Sequence, residues 1–321
     1  MVSTNDSVYN VVSNTPSLSS VASSGLGFIG VGSGGQIYQS TDGFSWTQQA
    51  SGTTNNLRSI TLGGNPSGIG GTSHLLVTVG DNGTVLTSAT ALTWTSHSSG
   101  TSLTLYGVTS SNGLYVAVGQ QGTVVTSQDG VTWAVQNSGT TNNLYAVTYG
   151  WAGFLAVGGA GTTLTSSDGV NWTPQNSGTS SPLESASFGN GYYLVTGANA
   201  TVLTSIDGVN WTPRGVGATG NQTFYGSGFL NGRFDIVGVA GNILESDAVP
   251  ALFTDEILNV SPQIVITTFI TPGSTFRIQD ITNLLNPAWS TAATFSNAAG
   301  ITRWTNSTAG TSQSYYRIIS P

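Results

Sequence analysis

Hydrophobic positions in the first 250 residues of this chain alternate with polar ones at period two, in short runs separated by Gly, Asn and Ser. That alternation marks half-buried β-strands, and no stretch carries the three-to-four spacing of an amphipathic helix. The clearest runs are Phe28–Gly32, Leu75–Gly80, Leu114–Gly119, Phe154–Gly158, Tyr192–Gly197 and Phe234–Gly238. Each follows a short apolar strand and a Gly or Asn turn. Each precedes a third strand that ends, in most units, in Ser-x-Asp-Gly-x-x-Trp. Trp94, Trp133, Trp172 and Trp211 stand 39 residues apart; Trp46 precedes Trp94 by 48, because an insertion, Gly63 to His74, lengthens the second unit. Six four-stranded antiparallel units of this kind cannot bury their faces singly, but do so when arranged radially. The expected fold is therefore all-β, a six-bladed β-propeller over residues 1–250.

The two ends of the repeat suggest how it closes. Val8–Val12 aligns with the strand that follows each Trp, and the last unit, ending near Asp247, lacks that strand and its Trp. The N-terminal strand is thus expected to complete the last blade and cover its open edge. After Asp247-Ala248-Val249-Pro250 the repeat stops. Residues 251–321 form a second domain, with strands expected at 257–260, 263–269, 275–279, 292–295, 302–305 and 314–319, a small antiparallel β-sandwich.

Composition narrows the function. Only 6% of the 321 residues are charged, lysine is absent, and all six basic residues are arginine. A net charge of −7 with scattered arginines offers no basic stripe, so neither nucleic acid nor anionic lipid is an expected partner. No apolar run is long enough to span a bilayer, so no membrane insertion is expected. The absence of cysteine removes disulfides, thiolate metal sites and thiol nucleophiles. No pattern calls for a cofactor or a metal. The start, MVSTNDSVYN, lacks the regions of a signal peptide. With a hydroxyl-rich, lysine-free surface, the expectation is an exported protein, extracellular or at the cell surface, already without its leader.

Ser40-Thr41-Asp42-Gly43-Phe44-Ser45-Trp46 resembles the Asp-box (BNR repeat) of sialidase-like propellers, and the same pattern stands at Ser127–Trp133, Ser166–Trp172 and Ser205–Trp211. Unit two departs from it at Ser88–Trp94, and unit six keeps only Ser246. The wider repeat, Leu-Tyr-Ala-Val, then Ala-Val-Gly, then Asp-Gly-x-x-Trp, is similar to the propellers of photosystem II assembly factors, which usually have seven blades. The stretches Phe276–Gln279, Asn286–Trp289 and Tyr315–Pro321 resemble a fibronectin- or immunoglobulin-like terminal module of exported bacterial proteins. That resemblance implies a spacer, adhesion or sorting role for the C-terminal domain.

Repetition separates scaffold from site. Asp42, Asp129, Asp168 and Asp207 are expected to accept backbone N–H bonds inside their own turns, and Trp46, Trp133, Trp172 and Trp211 to pack between blades. A ligand site belongs where equivalent positions differ. With the innermost strands aligned on Leu18, Leu57, Leu105, Leu144, Leu183 and Phe224, the next residues are Ser19, Arg58, Tyr106, Tyr145, Glu184 and Tyr225. Arg58, Tyr106, Tyr145, Glu184 and Tyr225 therefore form the candidate ligand-binding ring at the channel mouth, with Asp81, Asn82, Gln120, Gln121 and Asn199 on neighbouring loops. Tyrosine faces with an isolated Arg and Glu suit a glycan or a protein partner. The sparse charge also admits assembly with copies of the same chain. An enzymatic alternative uses Glu184 with a tyrosine such as Tyr145 as a glycoside hydrolase or lyase, though only Arg58, Arg214 and Arg233 lie in the propeller and no sialidase arginine triad can be assembled. His74 and His97 stand outside any Ser or acid constellation.

Overall fold

A computed structural model of the chain describes residues 17–24, 27–64, 74–216 and 222–246, together with strands within residues 2–10 and 256–319. It is all-β, with six blades in a propeller arrangement. Blade one comprises Leu18–Ser24, Gly27–Gly32, Ile37–Ser40 and Thr47–Gln49, and blade two Leu57–Gly64, His74–Gly80, Thr84–Ser88 and Thr95–Ser98. Blade three is built of Leu105–Ser111, Leu114–Gly119, Val124–Ser127 and Ala134–Gln136; blade four of Leu144–Gly150, Gly153–Gly158, Thr162–Ser166 and Thr173–Asn176. Blade five holds Leu183–Gly189, Tyr192–Gly197, Val202–Ser205 and Thr212–Pro213. Blade six has three strands, Phe224–Leu230, Arg233–Gly238 and Ile243–Glu245.

Val8–Asn10 pairs antiparallel with Val2–Asn5, and Ile243–Glu245 is the last strand of its sheet. The expected closure of blade six by Val8–Val12 is thus absent among the described strands. A hairpin between neighbouring segments closes a far shorter loop than pairing across the whole repeat, and so costs less chain entropy.

The hydrophobic core lies between blades. One buried cluster joins Leu75, Val77 and Val85 of blade two to Leu105, Tyr115 and Trp133 of blade three. A second joins Ile29, Val31 and Ile37 of blade one to Leu57, Leu76 and Leu86 of blade two. A third joins Val116 and Val118 of blade three to Leu144, Phe154 and Leu164 of blade four. The sheets of blades one to four therefore bury their faces against one another, which no sheet could do alone.

The Ser-x-Asp-Gly turns brace these interfaces. Asp42 Oδ1 accepts from the backbone N–H of Phe44 and of Ser45, each at 2.8 Å, while Ser40 Oγ accepts from Gly43 N at 2.8 Å. The same bonds recur at Asp129, Asp168 and Asp207. The indole N–H of Trp46, Trp133 and Trp172 donates to the carbonyl of the turn glycine. Trp211 departs from this: its buried Nε1 has no partner. In blade two Thr90 and Ala91 stand in for Asp and Gly, yet Trp94 still donates to Ala91 O at 3.2 Å.

The Val-Gly endings have a steric cause. A Cβ added at Gly80, Gly119, Gly158 or Gly197 would lie 1.9 to 2.1 Å from the carbonyl oxygen of Asn56, Thr104, Asn143 or Pro182. That oxygen belongs to the residue entering the innermost strand, and it accepts the N–H of the residue after the glycine in the pairs Asp81–Asn56 and Gln120–Thr104. The same approach of backbones holds the start of each innermost strand in place.

By Cα proximity the chain forms two compact units, one of Met1–Ser187, Tyr193–Ser227 and Val237–Asn242, the other of Phe188–Tyr192, Gly228–Ile236 and Ile243–Pro321. The second contains two three-stranded antiparallel sheets. Gln263–Phe269 lies between Glu256–Val260 and Ile301–Ser307, and Thr275–Ile281 between Ser290–Ser296 and Tyr315–Ile319. These six strands fall where alternation placed them. The side chains of the C-terminal motif, and Asp6 and Asp247 in the propeller, lie outside the described residues.

Candidate functional site

In blades two to six the innermost strand opens with a buried anchor, Leu57, Leu105, Leu144, Leu183 or Phe224, fully inaccessible to solvent, and in blade one with the partly buried Leu18. The residue after it faces outward, and in the first four blades the pairing explains why. Leu57 pairs with Gly80 and Ser59 with Val79, leaving Arg58 as a β-bulge. Tyr106 is bulged between Leu105–Gly119 and Gly107–Val118, and Tyr145 between Leu144–Gly158 and Ala146–Val157. Ser19 occupies the same place in blade one. A bulge leaves its residue out of the ladder and re-aims the side chain. The ring read from sequence register is thus a row of bulges.

The following position is small in every blade, Ser20, Ser59, Gly107, Ala146, Ser185 and Gly226, because neighbouring innermost strands touch there. Ile60 N donates to Ser20 Oγ at 3.3 Å, Val108 N to Ser59 Oγ at 3.2 Å, and the hydroxyls of Ser185 and Ser227 bond at 2.9 Å. A Cβ on Gly107 would sit 3.1 Å from Ala146 Cα. These contacts set successive ring residues side by side.

The structure brings Arg58, Tyr106 and Tyr145 into one group. The Arg58 guanidinium grips Asp81 with two prongs, Nε to Oδ1 at 2.8 Å and Nη2 to Oδ2 at 3.0 Å. Asn56 Nδ2 donates to the same Oδ2 at 2.8 Å, while its Oδ1 accepts from Gly34 N in the preceding blade. The bond to Arg58 holds the Asp81 carboxyl below its ordinary value, against the effect of burial. Tyr106 and Tyr145 meet edge to face, their ring centroids 5.5 Å apart. Burial raises the Tyr106 hydroxyl pKa, with Tyr145 adding to it and Arg58 opposing. Sequence reasoning placed Arg58 and Asp81 near one another but missed their pairing, and it missed Asn56 entirely. The signal was there: Thr53-Thr54-Asn55-Asn56-Leu57 is repeated as Thr140-Thr141-Asn142-Asn143-Leu144, and Asn143 Oδ1 likewise accepts from Gln121 N.

Glu184 and Tyr225 stand at the next two ring positions. Glu184 is half-buried, has no hydrogen bond or ion pair among the described residues, and burial pushes its carboxyl above the ordinary value. Tyr225 is 60% exposed. His97 belongs to a structural clasp instead. Its Nε2 lies 2.8 Å from Thr87 Oγ1, the bond that Gln136, Gln175 and Arg214 make to Thr126, Thr165 and Thr204 in their blades.

The other end of the blades differs in character. A groove of about 860 Å³ there runs between the turns of blades three and four, lined by Asn112, Leu114, Asp129, Thr132, Asp168 and Val170. Its two carboxylates are already committed to their own turns. Among the described residues no helix is long and apolar enough to cross a membrane.

No protein-family model and no curated protein matches this sequence. Solved structures do. YCF48 bound to D1 peptide is similar with a TM-score of 0.56 at 19% identity, over 72% of this chain and 77% of that one. YCF48 from Cyanidioschyzon merolae gives 0.46 at 14% identity, over 71% and 94%. What the first of them shares with this chain is the fold. This chain is a β-propeller resembling that of YCF48, as its repeat implied a propeller.

Proposed function

We propose that this chain is a non-catalytic binding protein that captures a polypeptide partner at the end of the propeller displaying Arg58, Tyr106, Tyr145, Glu184 and Tyr225. The observation that carries the reading is the contiguous group on blades two to four: the two-pronged Arg58–Asp81 pair beside the Tyr106–Tyr145 edge-to-face pair. Tyrosine and arginine on a rigid scaffold are the residue types that anchor protein interfaces. A propeller of this fold, YCF48, has been solved with the D1 peptide bound, which supports a polypeptide over a sugar. Asp81 is tied to two donors and so is a poor partner for Glu184 in acid–base work. The composition supports an exported location, with the C-terminal module as a spacer.

The test is a peptide array and a glycan array probed with the whole chain. We expect retained peptides, with binding weakened at least tenfold by Tyr106→Ala and by Tyr145→Ala, and unchanged by Gln48→Ala on the outermost strand of blade one. Retention of glycans alone, or indifference to both tyrosine variants, would overturn the proposal. Release of reducing ends from a polysaccharide, lost in Glu184→Gln, would restore the hydrolase alternative.

A further inference from the structure

The ring and the loop beside it hold two acids and one base, Glu184, Asp81 and Arg58, and the acids are not equivalent. Arg58 and Asp81 neutralise each other through two hydrogen bonds. Glu184 is left half-buried with no partner among the described residues. Taking a carboxylate partly out of water without a counter-charge is unfavourable, and a protein tolerates it where something supplies that charge.

The neighbours of Glu184 specify which kind of charge. At the equivalent positions of the flanking blades stand Tyr145 on one side and the exposed Tyr225 on the other. The strands of blades five and six are pinned together next to this point by the Ser185–Ser227 hydroxyl bond. A carboxylate with a tyrosine at the equivalent position of each neighbouring blade offers a cation ion pairing and aromatic side chains on one surface. Lys and Arg, long side chains with a charged tip, are suited to reach a half-buried group at the end of a blade. Among the described side chains no arginine fills this role: Arg58 pairs with Asp81, Arg233 with Glu245, and Arg214 Nε donates to Thr204.

We infer that Glu184, at the ring position between those of Tyr145 and Tyr225, is a specificity-determining residue for a positively charged side chain, lysine or arginine, of the captured polypeptide. This rests on the reading of the face as a polypeptide-binding surface. It adds a sign to the interaction: the partner segment is cationic where it meets blade five.

The probe is an array of twelve-residue synthetic peptides in which every lysine- or arginine-bearing member has a twin with norleucine at that position. The whole chain is expected to prefer the cationic member of retained pairs by about tenfold. Glu184→Gln should bind both twins and lose the preference, Glu184→Asp should keep part of it, and Tyr106→Ala should weaken both twins alike. Circular dichroism and the melting temperature confirm that each variant is folded. If the wild-type chain shows no preference, or Glu184→Gln keeps it, the inference falls while the polypeptide reading stands. If no peptide of either kind is retained, the polypeptide reading itself falls and takes the inference with it.

Discussion

Ala160 adopts a left-handed backbone at φ 54°, a conformation that favours glycine, and so does Ala91 at φ 65°. The two should respond differently to Gly. An L-residue in this region is strained by about 1–2 kcal/mol. Ala160 is exposed in the turn between the second and third strands of blade four, so Ala160→Gly removes strain and loses no packing. We expect stabilisation of about 1 kcal/mol, seen as a rise of about 2–4 °C in melting temperature. Ala91 is fully buried in the cluster shared by blades one and two. There the lost methyl costs about 0.8 kcal/mol, so Ala91→Gly should be close to neutral. Equal gains at both sites would show that strain, and not packing, sets stability in these turns. Glu184 marks the same scale from the other side: an unpaired half-buried acid has no structural reason to be there.

At the scale of the element, the Ser-x-Asp-Gly turn couples folding to protonation. Backbone N–H donors from Ser45 and Phe44 lower the Asp42 carboxyl to about 2, and Asp168 and Asp207 are lowered further. A carboxyl depressed in the folded state stabilises the fold above its unfolded pKa of about 3.9, and that contribution disappears as pH falls through the folded value. Melting temperature should therefore be flat from pH 7 to about 5 and fall from about pH 4 to 2. Asp42→Asn and Asp168→Asn should flatten that fall, as thermal melts across the series would register. A variant slope equal to that of the wild type would remove the turns as its source. The element was readable in sequence because every donor and acceptor in it lies within six residues. The bulge at the opposite end of the blade was not: a one-residue shift between Leu105 and Gly107 leaves no mark on apolar alternation, and Tyr106 reads as an ordinary strand residue.

At the scale of the molecule, the blade count followed from the repeated Trp and Val-Gly positions, which are far apart in sequence but equivalent in space. What the repeat did not reveal are the pairings that break it. Arg58 and Asp81 stand 23 residues apart, one on the innermost strand and one in the turn after the second strand, and only the folded register brings them together. Val8–Asn10 copies a blade strand in pattern and pairs locally with Val2–Asn5. Charge contributes little to the whole: only 6% of the residues are charged, and the ion pairs Arg58–Asp81 and Arg233–Glu245 lie at least partly in solvent. Exposed pairs are worth about 0–1 kcal/mol. Raising sodium chloride from about 20 mM to about 500 mM shortens the screening length to a few ångströms and should move the melting temperature by less than about 3 °C. A large drop would indicate that ion pairs carry stability after all.

The bulges at Ser19, Arg58, Tyr106 and Tyr145 give this fold an unusual freedom. Behind each stands a leucine, buried in blades two to four, and beside each a close backbone contact, while the displayed residues themselves contribute almost nothing to the ladder. The ring positions can therefore be rewritten one blade at a time without renegotiating the architecture. A duplicated blade arrives with such a position already outside its ladder, and divergence at that single codon is enough to give it a new side chain to display.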